Sequence, residues 1–378
     1  MTKIHKEYHM KLSRRLLNFG AASLCAAIIL CNLPLVQAQN VPIIIDGDII
    51  GGSVAGNGTS ELLNRRGKPI PGTIGNPNSI DDPKIHTVGN PNYNTVIIRN
   101  GVVDEDVYGS FAELGAVTNN SVIVTGNAPG STVNNVYGGY VELGSAIYNE
   151  VTIENNSRVT GEIAGGYAKA LTTDTILGTS SYNTVTVKSG AIITGNIYGG
   201  RSGSAINNIV NIEGGNIRGT IIGGGNDNSD ALSAYYNEVN ISAGSIINGD
   251  VYGGRINIAD AFENTVNITG GLLTGSIYGG FTGLGNSEEN TVNIEGSVVN
   301  GGNELIGGRS NHGAAFGNKV YITNSQFLNN NGTIIGGYTS IGDADANIVG
   351  IDRGEVNIQS VTGGMSGTGN SNGNTVTI

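Results

Sequence analysis

The sequence is poor in several residue types, and each shortage excludes a class of protein. It contains no Trp, two Cys and eight Pro in 378 residues, and charged residues make up 13 %. The few prolines, with 62 glycines that do not fall at every third position, exclude a collagen. A formal charge of −11 argues against a protein that binds nucleic acid through phosphate contacts. The abundance of β-branched residues and glycine instead predicts an all-β protein with many turns.

Residues 1–38 have the order of a secretory signal peptide. A basic start precedes the uncharged segment 16–33, and Val36–Ala38 provides a small-residue cleavage site. An uncleaved membrane anchor is the alternative, because 18 uncharged residues approach the length that spans a bilayer. Cleavage removes five basic residues and one Glu, which takes the formal charge from −11 to −15. It also removes Cys25 and Cys31, so packing rather than disulfides is expected to stabilise the exported chain.

An internal repeat dominates the rest of the sequence. Its first motif, Asn-x-Val-x-Ile/Val, begins eleven times between Asn94 and Asn374, at a mean spacing of 28 residues. A second motif, an aliphatic residue, usually Tyr or Ile, then Gly-Gly, follows about 16 residues after each start, as in Ile197–Gly200. Two motifs that keep phase over eleven turns predict a solenoid, in which each turn packs its apolar face against its neighbours.

Each repeat is predicted to contain short strands. In Asn183–Val187 the valines recur with period two, so both point to one face and the threonines point to the other. The segment Ile193–Ile197 alternates in the same way. The glycine pair that follows is expected to end the strand, because Gly adopts positive φ without steric cost. The predicted fold class is therefore all-β, a parallel β-helix (β-solenoid) of about ten 28-residue turns.

The recurring asparagines are assigned a structural ladder rather than a ligand-binding role. Asn side chains on adjacent turns can hydrogen-bond to one another, and Asn tolerates turn conformations. The predicted ladder residues are Asn94, Asn120, Asn149, Asn183, Asn208, Asn237, Asn264, Asn290, Asn318, Asn347 and Asn374. The tyrosines of the second motif are likewise expected to form a stacked column rather than a sugar-binding surface. They are Tyr108, Tyr137, Tyr198, Tyr252 and Tyr278, with Ile222, Ile306 and Ile335 at the same position in other turns.

The sequence divides into a signal peptide at 1–38, an irregular N-terminal cap with a Pro-containing loop at 39–93, and a solenoid array at 94–378. Six of the eight prolines fall in the second segment, where Ile43–Gly52 resembles a degenerate half-repeat. Pro cannot donate a hydrogen bond to a neighbouring strand, so its scarcity in the array fits paired strands. The sequence ends at Ile378, in the middle of a repeat.

The signal peptide, the Cys-free array and repeats such as Asn183–Val187 and Ile197–Gly200 resemble the passenger regions of bacterial autotransporters and related large surface adhesins. The resemblance covers roughly residues 94–378 and is one of repeat style. It implies a right-handed parallel β-helix in a Gram-negative protein secreted across the inner membrane to the cell surface, outer membrane or exterior. Such proteins act in adhesion, aggregation or loop presentation. They end in a translocating barrel that this sequence lacks, so a missing translocator domain or partner is expected.

Two functions are consistent with this pattern. The first is a structural or adhesive scaffold that presents variable loops, such as Tyr167–Tyr182 and Asn226–Tyr236. Its expected partners are host or neighbouring-cell surface molecules, or other copies of itself. The second is a β-helix enzyme acting on polysaccharide, a lyase or glycosidase, which needs acidic and basic residues clustered on one face of adjacent turns. Charges are scattered among the loops, so the first function is preferred and no enzyme activity is predicted.

No cofactor, metal site or small-molecule substrate is predicted. His86 and His312, the only histidines after residue 38, lie near no nucleophile motif. Gly223–Asn228 resembles one calcium-binding nonapeptide but does not recur, and Asp343–Asn347 lacks the Gly and Glu of an EF-hand loop. Outward strand positions are too mixed for a flat ice-binding face; examples are Thr184, Glu238, Thr265 and Lys319.

Overall fold

A computed structural model describes residues 43–45, 49–50, 92–127, 130–169, 178–226, 233–300, 304–328 and 332–378. Across these ranges the chain forms short β-strands and no helix. Accordingly, no helix in the described part of the chain has the length and hydropathy to cross a membrane. The predicted signal peptide, both cysteines and most of the predicted cap lie outside the described residues.

The described residues form 41 strands, numbered in chain order. They are β1 Ile43–Ile45, β2 Ile49–Ile50, β3 Thr95–Arg99, β4 Gly101–Val103, β5 Val107–Tyr108, β6 Phe111–Thr118, β7 Ser121–Thr125, β8 Thr132–Val133, β9 Val136–Ile147, β10 Glu150–Ile153, β11 Arg158–Val159, β12 Ile163–Ala168, β13 Thr179–Ser181 and β14 Thr184–Lys188. Next come β15 Ile192–Ile193, β16 Ile197–Arg201, β17 Ser204–Ile206, β18 Ile209–Glu213, β19 Gly215–Ile217, β20 Ile221–Gly225, β21 Ser233–Tyr235, β22 Glu238–Ser242, β23 Ser245–Ile247, β24 Val251–Ile256, β25 Asp260–Phe262, β26 Thr265–Thr269, β27 Leu272–Leu273 and β28 Ile277–Thr282. The last are β29 Ser287–Glu288, β30 Thr291–Glu295, β31 Val298–Val299, β32 Glu304–Ser310, β33 Ala315–Phe316, β34 Lys319–Thr323, β35 Gln326–Phe327, β36 Thr333–Thr339, β37 Ala344–Asp345, β38 Ile348–Asp352, β39 Glu355–Val356, β40 Ser360–Ser366 and β41 Thr375–Thr377.

The strands stack into three parallel sheets. The first sheet collects the strand after each repeat Asn, in the order β3-β7-β10-β14-β18-β22-β26-β30-β34-β38-β41. The second sheet collects the next strand of each turn, in the order β1-β4-β8-β11-β15-β19-β23-β27-β31-β35-β39. The third sheet holds the Gly-Gly strands and the short strands that precede the next Asn. The predicted all-β solenoid is confirmed, and 11 strands in each of the first two sheets give a turn count close to the ten predicted.

Neighbouring turns pair in register although they differ in length. Val185 lies opposite Val151 of the preceding turn and Val210 of the following one. The repeat asparagines of adjacent turns are separated by as few as 25 and as many as 34 residues. Additional residues therefore lie between strands, where they leave the pairing unchanged.

The core consists of the apolar columns expected from the period-two pattern. In one turn Val185, Val187, Ile193 and Ile197 are all fully buried, and the same positions are buried in the turns on either side. Each such side chain contributes roughly 1.5–3 kcal/mol of transfer free energy. A single turn cannot bury this face alone, so the stacking of turns is what forms the core.

The sequence predicted that the glycine pair ends the strand, and this prediction is wrong. Strand β16 continues through Gly199 and Gly200, and neither glycine has a positive φ. The requirement for Gly is steric. A Cβ atom on Gly165 would lie 2.5 Å from the carbonyl oxygen of Gly199 in the next turn. The pair is needed because backbones of successive turns approach closely here, not because of its conformational freedom.

Two short strands from the predicted cap segment extend the stack. Strand β1 pairs in parallel with β4, and β2 pairs with β5. Both belong to Ile43–Gly52, which the sequence indicated as a half-repeat. This segment therefore adds strands to the second and third sheets ahead of the first complete turn.

Candidate functional site

The eleven repeat asparagines form one continuous hydrogen-bonded column. From Asn94 to Asn347, each side-chain Nδ2 donates to Oδ1 of the Asn in the following turn, for example from Asn183 to Asn208 at 2.9 Å. The same Oδ1 also accepts the backbone N–H of Asn183 at 3.1 Å. Equivalent side-chain links join every neighbouring pair from Asn94 to Asn374, at 2.8–3.1 Å.

Within this column, the amide of Asn208 uses its full hydrogen-bonding capacity. Besides its link to Asn237, Nδ2 of Asn208 donates to the carbonyl oxygen of Ser180 at 3.0 Å. An amide has two N–H donors and two acceptor lone pairs, and here all four are occupied within the fold. Asn208 is also fully buried. At this turn the column therefore links successive turns through buried hydrogen bonds, as a structural ladder does.

The second glycine of each pair packs against this asparagine column. A Cβ atom on Gly139 would lie 2.7 Å from the amide atoms of Asn149, and one on Gly200 would overlap the amide of Asn208. The two repeat motifs are thus halves of a single contact. The two motifs keep a constant spacing along the sequence because the glycine of one must pack against the Asn of the other.

Outside the core, the third sheet carries a second apolar cluster, here called the aromatic corner. It consists of the residue before each glycine pair and the residue after it. The first set is buried and includes Tyr108, Tyr137, Ala164, Tyr198, Ile222, Tyr252, Tyr278, Ile306 and Ile335. The second set covers it and includes Phe111, Tyr140, Tyr167, Arg201, Arg255, Phe281, Arg309 and Tyr338.

The tyrosines stack only where they occupy adjacent turns. Tyr108 and Tyr137 have ring centroids 5.1 Å apart, and those of Tyr252 and Tyr278 are 4.8 Å apart. Ala164 separates Tyr198 from the first pair. The predicted column of stacked rings is therefore formed in two segments rather than along the whole array.

Arginines complete the aromatic corner where rings are missing, a feature the sequence reasoning did not find. The guanidinium carbon of Arg201 lies 4.9 Å from the ring centroid of Tyr167 and 5.1 Å from that of Tyr198. Arg201 also forms an ion pair with Glu162. Arg255 and Arg309 occupy equivalent positions over Tyr252 and Tyr338. The signal was the residue immediately after the glycine pair, which is aromatic or Arg in most turns.

Burial perturbs the phenols of the aromatic corner. It raises the pKa of Tyr137 well above the ordinary value, and the Glu162 carboxylate adds to this effect. Burial also raises the pKa of Tyr278, which donates a 2.6 Å hydrogen bond to Glu304. These phenols are thus held neutral in the folded state.

Alkaline pH is expected to destabilise the fold through these phenols. A group whose pKa is raised by folding contributes stability below its unfolded value, about 10 for Tyr, and that contribution is lost as pH rises further. We expect Tyr137→Phe, which cannot ionise, to lose less stability than the wild type between pH 9 and pH 11. Urea unfolding followed by circular dichroism measures this. An equal loss in both proteins contradicts the prediction.

The remaining candidates from the sequence have ordinary structural surroundings. The ring Nδ1 of His312 lies 3.1 Å from a backbone oxygen, whereas His86 is outside the described residues. The carboxylates of Asp343 and Asp345 each accept a backbone N–H from the next turn, at 2.8 and 2.6 Å. Among the residues the structure describes, no three His, Cys, Asp or Glu side chains are grouped to hold a metal. The end of the Gly223–Asn228 candidate and the loop that follows it, residues 227–232, lie outside the described residues.

A second asparagine column lies on the outer face of the first sheet. Asn240 donates to Asn211 at 3.0 Å, Asn267 to Asn240 at 2.9 Å, and Asn293 to Asn267 at 2.8 Å. In these turns Asn recurs three residues after the ladder Asn. This recurrence was overlooked in the sequence analysis. Tyr321 occupies the next turn at this position, so the column covers four turns.

The residue before each ladder Asn has a left-handed backbone in all eleven turns, with φ between 49° and 65°. We call these residues the pre-ladder column. They are Tyr93, Asn119, Tyr148, Tyr182, Asn207, Tyr236, Glu263, Glu289, Gly317, Ala346 and Gly373. Gly and Asn suit this conformation, whereas other L residues are strained in it by roughly 1–2 kcal/mol. Four tyrosines occupy it nonetheless.

Comparison with known proteins does not assign a family. No protein-family profile and no curated protein matches the chain. Among solved structures, a TibC-catalysed hyper-glycosylated fragment of TibA is similar at 13 % identity, over 75 % of this chain and 94 % of that fragment. The TM-score is 0.17, so this likeness carries no argument about function. The fold assignment rests on the strand pairing described above.

Proposed function

We propose that this chain is an exported bacterial surface protein of autotransporter-passenger type. It acts without catalysis as a structural or adhesive scaffold. One observation carries the proposal: the residues that define the repeat are buried in the core and the asparagine column, while exposed positions change from turn to turn. The repeat specifies a support, and the varying positions supply the contacts.

The proposed partners are molecules of host or neighbouring-cell surfaces, or other copies of the chain. The pre-ladder column illustrates the variation that such contacts require, because one backbone position carries Tyr, Asn, Glu, Gly or Ala in different turns. The proposed contact loops Tyr167–Tyr182 and Asn226–Tyr236 fall partly outside the described residues. The apolar segment 16–33 supports secretion across the inner membrane.

The purified chain, coated on beads, is expected to attach to cells or matrix proteins or to cluster the beads. Beads coated with the same chain after heat unfolding are the control, because a scaffold must be folded to position its contacts. Counting bound beads by microscopy gives the result. If folded and unfolded coatings attach equally, or neither attaches, the scaffold proposal is wrong.

One observation favours a second candidate, cleavage of polysaccharide. Glu162 and Arg201 come from adjacent turns and meet in the aromatic corner, about one fifth exposed. The pair supplies one acidic and one basic residue from adjacent turns, the residue types that a β-helix lyase or glycosidase needs together on one face. The test is release of unsaturated or reducing sugars from a polysaccharide panel, with Glu162→Gln as the matched variant. Turnover by the wild type that Glu162→Gln abolishes would establish the enzyme; absence of turnover rejects it.

A further inference from the structure

Tyrosines in the pre-ladder column occupy positions with a left-handed backbone conformation, which is more favourable for Gly or Asn. Tyr148 and Tyr182 both have φ of 56°, the same conformation that Asn207 adopts one turn later at 55°. Asn reaches this region at little cost, whereas an aromatic residue is strained there. Asn in place of Tyr would avoid this strain, and Asn already occupies the same position in other turns. The retention of Tyr therefore indicates a role for its ring.

The rings are exposed and organised. Tyr148 and Tyr182 are 52 % and 48 % exposed, and their centroids lie 5.0 Å apart at an interplanar angle of 19°. Two turns further on, Tyr236 is 45 % exposed and contacts Phe262 at 5.6 Å. Tyr93 is 55 % exposed at the N-terminal end of the column. Aromatic rings thus recur along one edge of the solenoid over six turns, where no packing requirement of the core places them.

The polar residues of this edge restrict the chemistry of its partner. Asn119 and Asn207 lie between tyrosine turns of the column. The positions that flank the first six ladder asparagines, two before, one before and one after, carry no Lys or Arg. The charged residues among them are Glu150 and Glu238. An anionic partner is therefore disfavoured, while amides and carboxylates suit the hydroxyl groups of a neutral one.

We propose that the pre-ladder column from Tyr93 to Tyr236 binds a neutral polysaccharide chain along the solenoid axis. Because the facing sides of Tyr148 and Tyr182 cover one another, the apolar C–H groups of the sugar pack against the exposed outer edges of the rings. The sugar hydroxyls hydrogen-bond to Asn, Glu and the phenol oxygens. Turns repeat about every 4.8 Å, a period comparable to one sugar unit of an extended chain, so successive units meet successive turns. This names a partner class for the proposed adhesive function and rests on it.

The test uses the purified full chain and its double variant Tyr148→Asn/Tyr182→Asn. Asn already occupies this conformation at Asn119 and Asn207, so the melting temperature is expected not to fall. Affinity electrophoresis in gels containing dextran, mannan or galactan measures binding. We expect the wild type to be retarded by at least one of these, and the double variant to bind it about tenfold more weakly or worse.

Glu263→Asn/Glu289→Asn is the matched control, because it makes the same replacement in the same column outside the tyrosine turns. It is expected to bind like the wild type. Failure of the wild type to bind any of the three polymers, or equal loss in both double variants, overturns the proposal. Loss of self-association instead of polysaccharide binding in the Tyr variant also overturns it, in favour of a protein partner. Bead attachment that persists in the Tyr variant leaves the scaffold function intact while rejecting this site.

Discussion

Replacing Asn208 with Asp is expected to destabilise the turns around it by about 3–5 kcal/mol, the cost typical of an uncompensated buried charge. The substitution hardly changes volume. It removes the Nδ2 donor that serves Asn237 and Ser180, each at 3.0 Å, and places carboxylate oxygens against those acceptors. Full burial of the site allows no water to replace the lost donor. The deficit should shrink at acidic pH, because a protonated carboxyl donates again.

Hydrogen exchange read turn by turn is the appropriate measurement, since a solenoid need not unfold in a single two-state step. Protection is expected to fall most in the turns of Asn183, Asn208 and Asn237. Asn248→Asp is the control, because Asn248 is exposed and its side chain makes two long hydrogen bonds, to Asn216 and from Thr274, each of 3.4 Å. Equal effects of the two substitutions would show that the column adds no stability of its own.

Replacing Gly200 with Ala is expected to cost about 3 kcal/mol or more, although it adds one methyl group. The new Cβ atom would overlap the side-chain amide of Asn208, which hydrogen bonds hold in place from both neighbouring turns. Overpacking of a rigid site costs typically 1–3 kcal/mol and exceeds this where nothing can move. The melting temperature of the purified chain gives the first measure of the loss.

Two comparisons isolate the cause of that loss. Gly244→Asn tests a glycine with φ of 85° and open space around it, and is expected to change stability little because Asn tolerates positive φ. In the background of Asn208→Gly, which removes the opposing amide, Gly200→Ala is expected to cost much less. Additive effects of the two substitutions would mean that the predicted contact between them is unimportant.

The architecture was predictable because its main signal is local and repeated. Alternation in Asn183–Val187 identifies the buried face of a strand without knowledge of any distant residue. Eleven copies in phase then identify the stacking partner of each strand, since all turns offer the same columns and the next copy along the chain is the nearest one. Val185 and Val187 are buried as this argument requires.

The glycine pair and the aromatic corner were misread or missed because their signals depend on contacts between different parts of a turn. Nothing local to Gly199–Gly200 shows that Asn208 lies against it. The preference of Gly for turns therefore suggested a strand end. Similarly, Arg201 reads as an ordinary surface residue until strand pairing places it opposite Tyr167 of the preceding turn, where it also lies over Tyr198. The exposed tyrosines were overlooked because their significance lies in the backbone φ, which composition does not reveal.

Equal register between turns of unequal length has an evolutionary consequence. Since Asn237, Asn264 and Asn290 make interchangeable links, loss of the whole unit between two of them would rejoin the column without a mismatch. Loss of a few residues within a strand would instead misalign every apolar side chain beyond it. Recombination between copies in the gene can therefore lengthen or shorten this protein in whole units, while variation in the length of a unit is confined to its connecting loops.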